Sequence, residues 1–109
     1  MSEFVRVCPV ADIPPGHAAR VDIDETPVAV FNVDGDFFAL DDTCSHAMAS
    51  LSEGELDLGR CAVECPLHGS QFDLRSGDPL SLPAVDGVAV HPVEVRDGEL
   101  WVALSPPRG

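Results

Sequence analysis

The sequence predicts an all-β protein, a small antiparallel barrel or sandwich with a loop-built subdomain at one end. Ten prolines and nine glycines interrupt short runs rich in Val, Phe and Leu. No window carries a sustained helical stripe of apolar residues. With 109 residues the chain has the usual length of one domain, and we expect a single domain over residues 1–109.

The strands are predicted from apolar runs bounded by turn residues. The pairs Asp34-Gly35 and Asp97-Gly98 each separate two such runs, which is typical of two-residue hairpin turns because Gly accepts a positive φ. Apolar and charged residues alternate in the run after Pro92, as expected of a sheet with one wet face. In chain order the predicted strands are Phe4–Val7, Ala18–Ile23, Val28–Val33, Asp36–Leu40, Cys61–Glu64, Gln71–Leu74, Val93–Arg96 and Glu99–Val102.

Two segments, residues 41–59 and 65–70, do not follow a strand pattern. The first has room for a short helical turn near Ala47–Leu51, which Gly54 and Gly59 limit. The residues able to bind a metal are concentrated in these segments. A site built on loops that a rigid sheet holds in place is therefore expected.

The charge balance of the chain argues against one class of function. Nineteen acidic residues face six basic ones, which gives a formal net charge of −13. This opposes nucleic-acid binding, which needs Lys and Arg to displace counterions. It favours a soluble monomer, and it suits long-range steering toward partners with basic docking patches.

The N-terminal sequence and the cysteine count indicate the compartment. No stretch approaches the roughly 20 apolar residues that cross a bilayer. Met1–Arg6 has no basic segment followed by an apolar one, so no secretory signal is predicted and a cytoplasmic location is expected. In a reducing cytoplasm, four cysteines indicate metal binding or buried thiols rather than disulfides.

Four potential metal ligands form two short motifs. Cys44-Ser45-His46 and Cys65-Pro66-Leu67-His68 are separated by the 18 residues Ala47–Glu64. A mononuclear zinc finger usually presents a cysteine pair and then a histidine pair. Here Cys and His alternate, which suits a two-iron cluster with both cysteines on one iron and both histidines on the other. Zinc held by the same four residues remains the alternative.

This pattern resembles the ligand signature of Rieske proteins, in which two histidines replace two cysteines on one iron of a [2Fe–2S] cluster. Cys65–Phe72 is similar to the family's second cluster loop, and Pro83-Ala84 to the proline loop that covers the cluster. Thr43-Cys44-Ser45-His46, followed by Ala49–Gly54, is most similar to the ferredoxin components of aromatic-ring-hydroxylating dioxygenases, including carbazole-type systems. The resemblance implies one [2Fe–2S] cluster bound by Cys44, His46, Cys65 and His68.

Departures from the respiratory Rieske proteins predict a low reduction potential. Ala49 and Leu67 stand where those proteins carry a disulfide, and Phe72 stands where a tyrosine hydroxyl approaches a ligand sulfur. Ser70 is present as in the respiratory proteins, and the resemblance implies that its hydroxyl donates a hydrogen bond to a bridging sulfide. Fewer hydrogen bonds to sulfur stabilise the reduced cluster less, so we expect the low end of the Rieske range of roughly −150 to +300 mV.

The resemblance implies a carrier of single electrons rather than an enzyme. A flavoprotein reductase linked to NAD(P)H would supply the electron and a terminal ring-hydroxylating dioxygenase would receive it, a role in aromatic hydrocarbon catabolism. The chain has no Gly-rich phosphate loop and no mononuclear iron triad. Two alternatives are the small subunit of an NADH-dependent nitrite reductase and a zinc-stabilised interaction module.

The remaining candidates have simpler interpretations. Cys8 and Cys61 are expected to be small buried hydrophobes, His91 to be structural and Trp101 to pack in the core or at an edge. The acidic residues Glu53, Glu55 and Asp57 are expected to form a solvated face, with docking of the reductase as a hypothesis.

Overall fold

Ten short strands make up most of the architecture of the computed structural model, which describes residues 4–43, 49–67, 69–80 and 86–105. Single 3-10 turns occur at Val10–Asp12 and Leu51–Glu53. No helix in the described ranges is long and apolar enough to cross a membrane. The strands are β1 (Phe4–Pro9), β2 (Ala18–Ile23), β3 (Thr26–Val33), β4 (Asp36–Asp41), β5 (Glu55–Asp57), β6 (Ala62–Glu64), β7 (Gln71–Asp73), β8 (Val90–His91), β9 (Val93–Arg96) and β10 (Glu99–Ala103).

The strands form three antiparallel sheets. The first sheet has the order β1-β10-β9, the central sheet β2-β3-β4-β8 and the third sheet β5-β6-β7. One apolar cluster lies between the first and central sheets, and a second joins the central sheet to the third. The all-β antiparallel prediction is confirmed, and over the described residues the sandwich describes the arrangement better than a closed barrel.

Strand β3 is buried on both faces because it lies in the middle layer. Val28 and Val30 pack toward the first sheet, whereas Ala29, Phe31 and Val33 pack toward the third. Successive strand side chains point to opposite faces, so a run of apolar residues fills two cores at once. This double burial fixes the register of β3 against β2 and β4, since a slip by one residue would exchange the two faces.

The predicted hairpin turns are confirmed in detail. Asp34 and Gly35 have φ values of 52° and 95°, and Asp97 and Gly98 have 50° and 75°. Positive φ at both central residues is the signature of a type I′ turn, whose twist matches that of the flanking strands. The Asn32 side chain supports the first of these turns by accepting a hydrogen bond from the Gly35 amide at 2.8 Å.

The main differences from the predicted strands concern short elements. Strands β5 and β8 were not predicted, because three acid-rich residues and a two-residue pairing carry no readable alternation. A 3-10 turn covers Leu51–Glu53 and shares only Leu51 with the turn expected near Ala47–Leu51. Ala49 and Ser50 are not helical, and residues 47 and 48 lie outside the described residues. Cys61 has a φ of 53° and precedes β6 instead of opening it.

The β2–β3 hairpin contains strain that a substitution should relieve. Asp24 and Glu25 both have positive φ, at 49° and 67°, and neither is a glycine. The left-handed conformation costs an L-residue about 1–2 kcal/mol. Glu25→Gly should therefore raise the free energy of unfolding by about 1 kcal/mol, measured by urea denaturation.

Two control variants separate the backbone effect from charge. Glu25→Gln removes the same charge without relieving φ and should give a smaller gain. Gly35→Ala should lower the free energy of unfolding because φ is 95° there. An added Cβ meets no atom within 4 Å, so the loss reports backbone strain alone. A Glu25→Gly protein no more stable than Glu25→Gln would contradict the prediction.

Candidate metal centre

Of the four predicted ligands, Cys65 belongs to the described part of the chain. Cys44, His46 and His68 lie outside the described residues, as do Met48 and the Pro83-Ala84 pair. The structure nevertheless describes the chain on both sides of each ligand pair. The first ligand loop is defined here as residues 43–50 and the second ligand loop as residues 65–70.

The second ligand loop is a tight turn closed by the backbone. The Cys65 amide donates to the Ser70 carbonyl at 2.7 Å, and the Gly69 amide donates to the Cys65 carbonyl at 3.0 Å. Gly69 has a φ of 76°, a conformation that glycine adopts without steric cost. Cys65 follows β6 directly, is fully buried and forms no disulfide. A free cysteine at the base of a closed loop can bind a metal as its thiolate, which is the form in which cysteine acts as a ligand.

The first ligand loop is closed by a side chain. Asp42 is 1% exposed. Its Oδ1 accepts a hydrogen bond from the Ser52 amide at 2.9 Å, and its Oδ2 accepts one from the Ser50 hydroxyl. The Asp42 carbonyl accepts from the Leu51 amide at 2.7 Å, and Thr43 forms an isolated antiparallel bridge with Ser50. Both ends of the loop are thus joined at its base.

Residues that flank the two predicted motifs line one open groove. The groove has a volume of 360 Å³ and is lined by Ala49, Ser50, Glu53, Pro66 and Leu67. Leu67 is 58% exposed, so a large apolar side chain reaches the surface two residues beyond the buried Cys65. Among the described residues, the structure therefore brings the chain after the first motif close to the second motif.

A glycine contact fixes the separation of the loops. A Cβ added at Gly54 would overlap the carbonyl oxygen of Glu64, the residue before Cys65. Gly54 ends the 3-10 turn that follows the first ligand loop. Any side chain at this position would push the first loop away from β6.

The cysteines assigned no ligand role behave as small hydrophobes. Cys61 is 3% exposed within the apolar cluster that also contains Cys65 and Phe72. Burial raises the pKa of the Cys61 thiol, and burial also raises the pKa of the half-buried Cys8 thiol. Both groups are therefore held in the neutral, poorly nucleophilic form.

His91 is structural, as predicted. The Ser105 amide donates to its Nδ1 at 2.9 Å, which leaves Nε2 as the protonated nitrogen that donates to Asp41 at 2.8 Å. The buried ring thus joins β8 to the end of β4 and to the chain just after β10. Both ring nitrogens are occupied, so His91 has no free nitrogen for a metal.

An acidic groove lies along the third sheet. It has a volume of 410 Å³ and is lined by Glu55, Leu56, Asp57, Leu58, Glu64 and Gln71. Glu55 and Glu64 are directly opposed in the β5–β6 register. Like charges in this position repel each other and lower the stability of the pair.

Antiparallel sheets that carry a free, buried cysteine at the base of a loop are compatible with a small iron–sulfur protein. Residues 3–92 match the Rieske [2Fe–2S] domain family. The 3-phenylpropionate/cinnamic acid dioxygenase ferredoxin subunit of Escherichia coli (strain K12) is 46% identical over 100 residues, 92% of each chain. The chain belongs to the Rieske [2Fe–2S] domain family, and its resemblance to dioxygenase ferredoxins is confirmed.

Solved structures agree with this assignment. The ferredoxin of carbazole 1,9a-dioxygenase from Nocardioides aromaticivorans IC177 superimposes with a TM-score of 0.88 at 35% identity, covering 91% of this chain and 95% of that one. A ferredoxin in a complex of reduced oxygenase and oxidized ferredoxin in carbazole 1,9a-dioxygenase gives 0.84 at 44% identity, covering 92% of both chains.

The nitrite reductase alternative is weaker. A putative NADH-dependent nitrite reductase small subunit from Mycobacterium tuberculosis has a TM-score of 0.85, covering 97% of this chain and 98% of that one. Its sequence identity is only 28%, against 46% for the E. coli dioxygenase ferredoxin. The fold is therefore shared by both groups, and the sequence favours the dioxygenase ferredoxins.

Sequence reasoning missed Asp42 and Gly54 as residues that shape the site. Asp42 stands in an acidic pair, Asp41-Asp42, that looks like ordinary solvated charge. The available signal was its position directly before the first ligand loop, with serines following the loop. For Gly54 the sequence indicates only a limit to a helical turn, because its close approach to β6 depends on how the chain before β5 lies against that strand.

The two glycines of the site should respond differently to alanine. Gly54→Ala should lower the free energy of unfolding by about 3 kcal/mol or more, because the new Cβ meets backbone that cannot rotate away. Gly69→Ala should lower it by about 1 kcal/mol, because only the positive φ is strained and no atom lies within 4 Å. Urea denaturation of both variants measures the difference, and equal losses would contradict the packing argument.

Proposed function

We propose that the chain is a Rieske ferredoxin that carries single electrons from an NAD(P)H-linked flavoprotein reductase to a terminal ring-hydroxylating dioxygenase. In this proposal one cluster is held by Cys44, His46, Cys65 and His68 within a single domain of residues 1–109. The carrier acts as a cytoplasmic monomer. The observation that carries the proposal is the match of residues 3–92 to the Rieske [2Fe–2S] domain family, and the fully buried, free Cys65 supports the ligand set.

This arrangement fits the demands on an electron carrier. A [2Fe–2S] cluster bound by two thiolates and two imidazoles supplies one reversible electron at a higher potential than an all-cysteine cluster. The chain keeps Cys65 away from water in the apolar cluster with Phe72 and Leu51. Pro66 and Leu67 give a nearby surface that a partner can cover without desolvating a charge.

Spectroscopy tests the ligand set. The purified protein should be red-brown, bleach with dithionite and gain a rhombic low-temperature EPR signal with an average g below the free-electron value. Cys65→Ser should abolish the signal, whereas the matched Cys8→Ser should retain it, since Cys8 lies on β1 in the other apolar cluster. A colourless, EPR-silent protein with stoichiometric zinc would replace the carrier with a structural module.

Electron delivery tests the partners. The dithionite-reduced protein should reduce a purified terminal dioxygenase of the ring-hydroxylating class in stopped-flow mixing. It should itself be reduced by a flavoprotein reductase with NADH or NADPH. Stable copurification with a large sirohaem subunit would instead identify the protein as a nitrite reductase component.

The acidic surface supports docking of the reductase. Glu53 and Glu55 are exposed, and Glu55 opposes Glu64 across β5 and β6. Neither Glu55 nor Glu64 forms an ion pair with another described residue. This repulsion lowers the stability of the sheet while concentrating negative potential beside the ligand loops, which suits attraction of a basic partner surface.

Charge reversal measures that attraction. The Glu53→Lys, Glu55→Lys double variant should be reduced by the reductase about tenfold more slowly at low ionic strength, because steering raises association rates by at least that factor. The difference should shrink as salt screens the charges. Asp36→Lys is the control, since Asp36 is exposed at the start of β4, about 17 Å along the strand from Asp41. An unchanged rate in the double variant would contradict reductase docking at this surface.

A further inference from the structure

We propose that Asp42 is a positioning residue for the cluster. Its buried carboxylate holds the first ligand loop closed before the cluster binds, and Arg20 serves as its counter-charge. The inference rests on the proposed ligand set, in which Cys44 and His46 occupy that loop. Asp42 itself stays outside the ligand set and acts through the backbone that carries the two ligands.

Three hydrogen bonds from the end of the first ligand loop converge on Asp42. The side chain accepts from the Ser52 amide and the Ser50 hydroxyl, and the carbonyl accepts from the Leu51 amide. The three partners are the last residue of the loop and the two residues after it, whereas Asp42 lies just before the loop. Its own amide donates to the Pro27 carbonyl at 3.0 Å, which anchors the assembly to the central sheet.

Burial of the Asp42 carboxylate costs free energy that its partners must offset. Asp42 is 1% exposed, and a buried charge is unfavourable unless it is hydrogen-bonded and paired. The guanidinium Nε of Arg20 on β2 lies 4.0 Å from Asp42 Oδ2. Arg20 also contacts the exposed Asp22 at 3.3 Å. The hydrogen bonds that the Asp42 carboxylate accepts are charge-assisted and therefore stronger than those between neutral groups, which favours the closed loop base.

The second ligand loop is closed without help from a side chain such as Asp42. There the backbone closes the turn by itself, through the Cys65 and Gly69 amides and the positive φ of Gly69. The first loop is longer, with six residues between Thr43 and Ser50, and has one bridge at its base. Without Asp42, cluster binding would have to order these residues, and that ordering would weaken binding.

Three variants separate positioning from folding. Asp42→Asn keeps the shape of the side chain but removes the charge that binds the Ser50 hydroxyl and Arg20. Ser50→Ala removes only the hydroxyl donor and is expected to fold, and Ser50→Thr restores a hydroxyl. Asp36→Asn is the matched control, because it removes an exposed carboxylate from the other end of β4.

The measurements use the cluster-loaded protein. Release of iron to an excess of chelator is followed under native conditions, with the EPR spectrum of the reduced protein and the rate of global unfolding of each variant. Asp42→Asn should release iron about tenfold faster, the loss expected from one hydrogen bond to a charged group. Ser50→Ala should show a smaller acceleration, and Ser50→Thr should return toward the wild-type rate. The EPR g values should shift in Asp42→Asn, while Asp36→Asn matches the wild type in every measurement.

The possible outcomes are distinct. If Asp42→Asn and Ser50→Ala unfold faster but release iron at wild-type rates with unchanged g values, Asp42 is a fold-stabilising residue only and the inference is wrong. If Asp42→Asn cannot be produced folded, the Ser50→Ala and Ser50→Thr pair decides, since equal release from both and from the wild type overturns the inference. A wild-type protein without an iron signal would overturn the proposed function itself.

Discussion

The double burial of β3 is the constraint on which the rest of the structure depends. Because its alternate side chains fill two different apolar clusters, β3 can occupy only one register in the central sheet. Its partner β4 is held by the same ladder, and β4 ends at Asp41, directly before Asp42. The position from which the first ligand loop departs is therefore set by packing on both sides of β3.

The bases of the two ligand loops are held by different physical means. A short turn with a glycine in the left-handed region can satisfy its own backbone, as around Cys65 and Gly69. At the base of the first ligand loop, the buried Asp42 carboxylate accepts from the Ser52 amide. These hydrogen bonds compensate the carboxylate for its loss of water.

The distribution of charge follows a consistent pattern. The chain has six basic residues, all arginines, against nineteen acidic ones. Several of these arginines are engaged within the molecule: Arg6 pairs with Glu99, Arg96 pairs with Glu94, and the Arg96 guanidinium lies 5.1 Å from the Phe4 and Trp101 ring centres. Positive charge is thus largely neutralised locally, so the field that a distant partner experiences is negative.

The sequence by itself determined the all-β class, the two hairpins at Asp34-Gly35 and Asp97-Gly98, and the family through its ligand motifs. These features depend on local chemistry: turn residues that accept positive φ, and metal-binding side chains at short spacing. The tertiary structure alone decided the closure by Asp42, the contact of Gly54 with β6, and the short strands β5 and β8. Each of these depends on how separate segments pack against one another, and no local pattern encodes which backbone will lie opposite which side chain.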